Sequence, residues 1–220
     1  MKVTDKITIT NEDNMELMAR YPDDYFDLAI VDPEYGIGIS SNPVRQSHKK
    51  KDWDNSIPKK EYFKELFRVS KNQIIWGGNY FIDYLNNTQC FIVWDKKQPE
   101  NFSLAMCEMA WTSIQSPAKI FRYSVLNGDS KIHPTQKPVA LYKWILEKYA
   151  KQGDKILDTH LGSGSIAIAC HELGFELTAC ELDKDYFEAT IKRLNNKFGN
   201  EFTFDDSPPN QVNIFDQIKD

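Results

Sequence analysis

The chain has 220 residues, 41% of them hydrophobic and 13% aromatic, enough for one sizeable buried core and against disorder over most of the length. A net charge of −5 excludes a uniformly basic nucleic-acid coat, so any contact with nucleic acid must come from a local basic patch. Cys90, Cys107, Cys170 and Cys180 form no CxxC pair, the chain starts without an apolar leader, and no apolar run approaches the ~18 residues of a membrane span; these features predict a cytoplasmic protein without a metal site or membrane contact.

Taken in chain order, short apolar runs alternate with helical patterns. Strands are predicted at 7–10, 27–31, 73–76, 90–94, 108–113, 155–158 and 176–181, and helices at 14–20, 58–70, 138–151, 165–173 and 184–197. Pro58 and Pro138 suit first-turn positions, where a missing N–H costs nothing, and Gly153 and Gly174 lie just past helices, where a left-handed backbone is needed. Loops are expected at 36–56 and 114–132. The alternation predicts an α/β fold, a mostly parallel sheet with helices on both faces.

Two segments carry chemistry. The first, Asp158-Thr159-His160-Leu161-Gly162-Ser163-Gly164, is a strand end running through a glycine turn into a helix, where the backbone can approach a ligand and free N–H groups are on offer. Glu181 ends the next strand, 19 residues beyond Gly162, and can accept both hydroxyls of a ribose. Taken alone, a glycine turn is often purely steric and Glu181 a solvated strand-end acid. The missing third glycine and the missing Walker lysine disfavour a dinucleotide and a nucleoside triphosphate.

The second segment is the apolar strand ending in Asp32-Pro33-Glu34-Tyr35. A carboxylate and a proline carbonyl can each accept one hydrogen bond from an amino group, and a tyrosine face can hold a base taken out of the duplex. Asp-Pro is also a frequent turn starter, so the tetrapeptide by itself leaves both readings open.

In this context the chain resembles the amino-methyltransferases of DNA with an Asp-Pro-Pro-Tyr motif, in the β arrangement where the catalytic half precedes the cofactor half. The resemblance covers roughly residues 7–195. It rests on Asn11-Glu12-Asp13-Asn14, Asp32-Pro33-Glu34-Tyr35, Gly77-Gly78-Asn79-Tyr80-Phe81, Trp94-Asp95-Lys96 followed by Asn101-Phe102, Glu108 and Trp111, and the hexapeptide His133-Pro134-Thr135-Gln136-Lys137-Pro138.

The resemblance implies a Rossmann-like class I fold with one antiparallel strand near an edge and permuted motif order. One methyltransferase domain is expected over 1–199, with a catalytic half over 1–130, a cofactor half over 131–199 and a flexible tail over 200–220. The implied reaction uses S-adenosylmethionine to methylate N6 of adenine in a short target sequence of double-stranded DNA after base flipping; N4 of cytosine is the alternative. Asp32, Pro33 and Tyr35 would be catalytic. Asp13 would contact the cofactor adenine, with Leu182 packing on it. Thr135 and Lys137 would lie near the cofactor carboxylate, Asp158, Gly162 and Gly164 would cradle its methionine part, His160 would supply a flat ring, and Glu181 would hold the ribose.

Two departures stand out: Glu34 replaces the motif's second proline, and Thr159-His160 replaces the usual Pro-Phe. Glu34 leaves open a cofactor-binding, DNA-binding module without activity. Phosphate contacts are expected from Arg45, His48, Lys49, Lys50, Lys51 and Lys96, the alternative for the run being a solvated charged loop. A homodimer is also implied. Gln211-Val212-Asn213-Ile214-Phe215 resembles peptides that dock on the bacterial sliding clamp, the alternative being a tail folded back on its own domain.

Overall fold

The computed structural model describes residues 6–38, 54–101, 105–124, 132–133 and 135–199. Eight strands form one sheet: β1 (Ile7–Thr10), β2 (Leu28–Val31), β3 (Gln73–Trp76), β4 (Phe91–Asp95), β5 (Cys107–Thr112), β6 (Lys119–Arg122), β7 (Lys155–Asp158) and β8 (Glu176–Cys180). Their order is β1-β8-β7-β2-β3-β5-β4-β6, and β5 alone runs against its neighbours. Among the described residues five α-helices accompany them: α1 (Asn14–Ala19), α2 (Lys60–Val69), α3 (Val139–Tyr149), α4 (Ser165–Leu173) and α5 (Lys184–Phe198).

Strand alternation divides the core between the two faces. Ile30, Ile74 and Ile156 point to the side where Leu141 and Ile145 of α3, Ile168 of α4 and Ile191 and Leu194 of α5 pack. Ala29, Val31, Ile75 and Leu157 point to the other side, against Leu17 and Met18 of α1 and Phe63 and Leu66 of α2. The central strands β2 and β3 are buried throughout, which is why they read as continuous apolar runs.

The chain therefore leaves β2 toward one face, through α2, and leaves its neighbour β7 toward the other, through α4. Between two such strands the sheet opens a crevice at its carboxyl edge. Asp32–Tyr35 follows β2 and Thr159–Gly164 follows β7, so both chemical segments reach the same crevice.

Two expectations change. The predicted loop 114–132 contains β6, a parallel edge strand on β4; its residues are mostly exposed, so the Lys-Ile-Phe-Arg stretch carries no alternating burial signal. Pro138 is the N-cap of α3, and Pro58 precedes the N-cap Lys59 of α2, so neither occupies a first helical turn. Arg45, His48, Lys49, Lys50, Lys51, the tail 200–220 and its Gln211–Phe215 segment lie outside the described residues.

Candidate active site

The end of β2 is held by side chains from distant parts of the chain. The Tyr35 hydroxyl donates to Asp32 Oδ1 at 2.6 Å, and the Lys137 ammonium, just before α3, donates to Asp32 Oδ2. Lys137 Nζ also lies 3.1 Å from Glu108 Oε2 on β5 and 5.0 Å from the Trp76 ring centroid. Glu108 Oε1 is 2.6 Å from Lys96 Nζ. Asp32, Lys137, Glu108 and Lys96 thus form a line of alternating charge running from the crevice beneath the sheet edge.

Burial opposes charge on Lys137, but Asp32 and Glu108 outweigh it and raise its pKa. Burial likewise opposes charge on Glu108, yet Lys137 and Lys96 pull its carboxyl down to about 2. Burial, with Asp32 and Glu108, pushes Tyr35 well above its ordinary value, so this phenol remains a donor. Its ring stacks on Tyr80 with centroids 4.9 Å apart and planes at 15°. Gly77, at φ +70°, lets the next strand's exit pass close by: a Cβ there would lie 2.2 Å from Tyr35 Cε1.

The loop after β7 faces this group. Glu181 Oε2 accepts from the Gly162 N–H at 2.8 Å and its Oε1 accepts from the Asp183 N–H at 2.9 Å, so the acid at the end of β8 braces the glycine turn. The Thr190 hydroxyl of α5 donates to the Gly162 carbonyl at 2.6 Å. Asp158 Oδ1 accepts from the His160 N–H at 3.0 Å. Burial drives the Asp158 carboxyl up to about 8; the His160 hydrogen bond opposes this, while Asp32 and Glu181 add to it.

One cavity of about 350 Å³ joins both halves: Asp32, Pro33, Glu34 and Tyr35 line it together with His160, Gly162, Glu181 and Leu182. Among the described residues its wall carries Glu12, Asp32, Glu34, Asp54, Glu181 and Asp183 against the single ammonium of Lys137. Such a wall favours a cationic ligand. S-adenosylmethionine, with a sulfonium and an ammonium against one carboxylate, fits that balance, and Asp32 and Glu181 both line the cavity.

A family model for DNA methylases of the N6 and N4 type matches residues 71–192, more than half of the chain. The chain belongs to this family. These methylases are S-adenosylmethionine-dependent amino-methyltransferases, here in the β arrangement. The type II methyltransferase M.HpaI of Haemophilus parainfluenzae is 33% identical over 86 residues, 38% of this chain but only 27% of that protein. The crystal structure of an M1.HpyAVI–SAM complex superposes with a TM-score of 0.59 at 21% identity, over 85% of this chain and 99% of the other. The PvuII DNA methyltransferase, cytosine-N4-specific, superposes with a TM-score of 0.64 at 11% identity, over 97% and 91%.

The expected site residues of this DNA methylase stand in different relations to the cavity. Lys137 is turned to the acceptor side and committed to Asp32 and Glu108, although it also lines the cavity that Thr135 and His133 share. Lys96 is buried against Glu108 and the Trp94 ring, which does not suit a phosphate contact. Asp13 is the N-cap of α1, accepting from the Met15 N–H at 2.8 Å, and its neighbours Glu12 and Asn14 line the cavity instead. Asp158 and Gly164 lie behind the wall: Asp158 ties down the loop, and Gly164 turns it at φ +71°, where a Cβ would meet Thr190 Cγ2 at 2.5 Å. Leu182 is 69% exposed at the rim, open to a flat group.

Sequence reasoning passed over Asp54. Its carboxylate accepts from the Gly36 N–H at 2.8 Å and its carbonyl from the Gly38 N–H at 3.0 Å, tying Asp54 to the backbone that follows Tyr35. Its place just before a Ser-Ile-Pro helix entry was the available signal. Tyr62 was also missed; it looks like one more apolar helix position, yet its hydroxyl bonds Thr159 Oγ1 at 2.7 Å.

Proposed function

We propose that this methylase transfers a methyl group from S-adenosylmethionine to the N6 amino group of adenine in double-stranded DNA, with the target base flipped out of the duplex. The observation that carries this reading is the shared cavity, in which the Asp32 carboxylate and the Gly162–Glu181 brace occupy one crevice. An amino group is too weakly nucleophilic within a stacked pair, and the reaction needs both reactants held in line.

When bound, the cofactor supplies an activated methyl group. The chain's own residues supply position and charge. Lys137 and Tyr35 keep the Asp32 carboxylate in one orientation, and each of its oxygens retains a second lone pair for an incoming N–H. Together with the Pro33 carbonyl, Asp32 draws the amine lone pair out of conjugation. The ionic line through Glu108 and Lys96 holds Lys137 without a water shell, which strengthens this field. Glu181, which accepts from the Gly162 and Asp183 N–H groups, is the carboxylate that would receive the ribose hydroxyls. DNA phosphates would be met by the Arg45–Lys51 run, which lies in the sequence between Gly38 and Asp54, two residues joined by a backbone hydrogen bond.

A carboxylate rather than a hydroxyl at position 32 supports adenine, because the resemblance associates serine there with many cytosine enzymes. The cytosine-N4-specific structural neighbour supports the second reading, N4 of cytosine. Incubation with labelled cofactor and DNA of mixed sequence, followed by nucleoside analysis, separates them: N6-methyladenine is expected, and Asp32→Ala should lower the rate by about 10²- to 10⁴-fold with cofactor binding retained. Label in N4-methylcytosine selects the second reading. No label in any DNA, with cofactor bound, refutes both.

A further inference from the structure

Two of the positions at which the chain departs from the family pattern, Glu34 and His160, touch each other. Glu34 Oε2 lies 3.4 Å from His160 Nε2, and both side chains are largely withdrawn from solvent, at 30% and 16% exposure. We propose that Glu34 and His160 form a clasp that positions the tetrapeptide Asp32–Tyr35 against the cofactor loop, so that Glu34 is a positioning residue of methyl transfer and not a lesion in the motif. This rests on the methyltransferase reading above.

The clasp sits where the sheet no longer holds the two segments. The β2–β7 ladder pairs Leu28 with Ile156 and Ala29 with Leu157, and Glu34 and His160 join the strand extensions beyond it. A proline at 34 would stiffen the backbone by itself. Glutamate gives up that restraint, and a polar contact across the crevice restores one. His160 is in turn anchored on its other edge: Nδ1 lies 2.9 Å from Thr159 Oγ1, which the Tyr62 hydroxyl reaches at 2.7 Å, and the Tyr62 ring meets the imidazole edge-on at 5.2 Å. A phenylalanine could fill the same volume but could not hold Glu34.

The contact depends on the proton. Nε2 also lies 3.1 Å from Asn14 Nδ2. With the proton on Nδ1, that nitrogen donates to Thr159, Nε2 accepts from Asn14, and Glu34 has no donor in the ring. With a proton on Nε2, Glu34 accepts it and the Asn14 amide must present its oxygen. The charged groups acting on the imidazole are Glu34 and Asp32 from the β2 extension and Asp13 from the start of α1; Tyr62 of α2 and Asp158 of β7, which accepts from the His160 backbone N–H, are the further titratable neighbours. Burial lowers the His160 pKa, while Glu34, Asp32 and Asp13 oppose the fall.

The test is a double-mutant cycle with Glu34→Pro, His160→Phe and the pair together, alongside an NMR titration of the His160 ring in cofactor-free protein. Each single change should lower kcat/KM on DNA by about tenfold, and the double variant should recover to within about threefold of the parent. Glu34→Gln, isosteric and suited to the NMR arm if Glu34→Pro does not fold, should lower the His160 pKa by about one unit. Multiplicative single effects, a Glu34→Pro variant more active than the parent, or a His160 pKa indifferent to Glu34→Gln would each overturn the clasp. A parent that binds cofactor but methylates no DNA, with Glu34→Pro equally inert, would instead sink the methyltransferase reading and the positioning role with it.

Discussion

Replacing Glu108 with glutamine tests whether the charge line beneath Asp32 is held by electrostatics. Glu108 joins Lys96 at 2.6 Å and Lys137 at 3.1 Å, and its side chain is 22% exposed. Its carboxyl falls from an ordinary 4.5 to about 2 in the folded protein, because the two lysines outweigh burial. A depression of that size corresponds to about 3 kcal/mol of folding stability at pH 7. Because the folded pKa is the lower one, this stabilisation is fully present above 4.5 and is lost as pH falls through about 2. Glu108→Gln keeps the shape and removes the charge, so urea unfolding should show a loss of about 3 kcal/mol at pH 7, shrinking to about 2 kcal/mol at pH 3.5. Lys96, left buried with the neutral amide, adds to the loss. A difference below about 1 kcal/mol at pH 7, or one that grows on acidification, would refute the reasoning.

Three further outcomes are expected. Glu181→Gln weakens cofactor affinity by about 10- to 100-fold in calorimetric titration, because the amide is a poorer acceptor and cannot both brace Gly162 and receive the ribose hydroxyls. Asp158→Asn stabilises the cofactor-free protein as pH rises from 5 to 8: a folded pKa raised to about 8 makes ionisation a penalty that is absent at low pH and grows to the order of a few kcal/mol, and melting curves of the two proteins should diverge with pH. Gly77→Ala displaces the Tyr35 ring, since its Cβ would stand 2.2 Å from Cε1, and should cost about tenfold or more in kcat with a smaller change in cofactor affinity.

The sheet strands other than β6, and the five helices, were legible because their burial is local in the sequence: β2, β3, β7 and β8 are short β-branched or leucine-rich runs, and α5 starts at the capping Asp183, whose carboxylate accepts from the Tyr186 N–H at 3.1 Å. β6 was not legible, since its four residues are largely exposed and are strand only because β4 offers a free edge. The chemical identity of the site was equally local. Asp32-Pro33-Glu34-Tyr35, the glycine turn and His133–Pro138 are each continuous in sequence, and residues of all three line one cavity.

What the sequence determined by itself is therefore the inventory: which strands, which acids, which glycines. Only the tertiary structure decided partners, because charge pairs are made across the fold by residues with no sequence relation. Lys96 reads as a phosphate contact and is buried against Glu108; Lys137 reads as a cofactor ligand and is bound to Asp32; Glu34 reads as a flaw and faces His160. A side chain's type sets which bonds it can make, and the strand order sets which group stands close enough to make them.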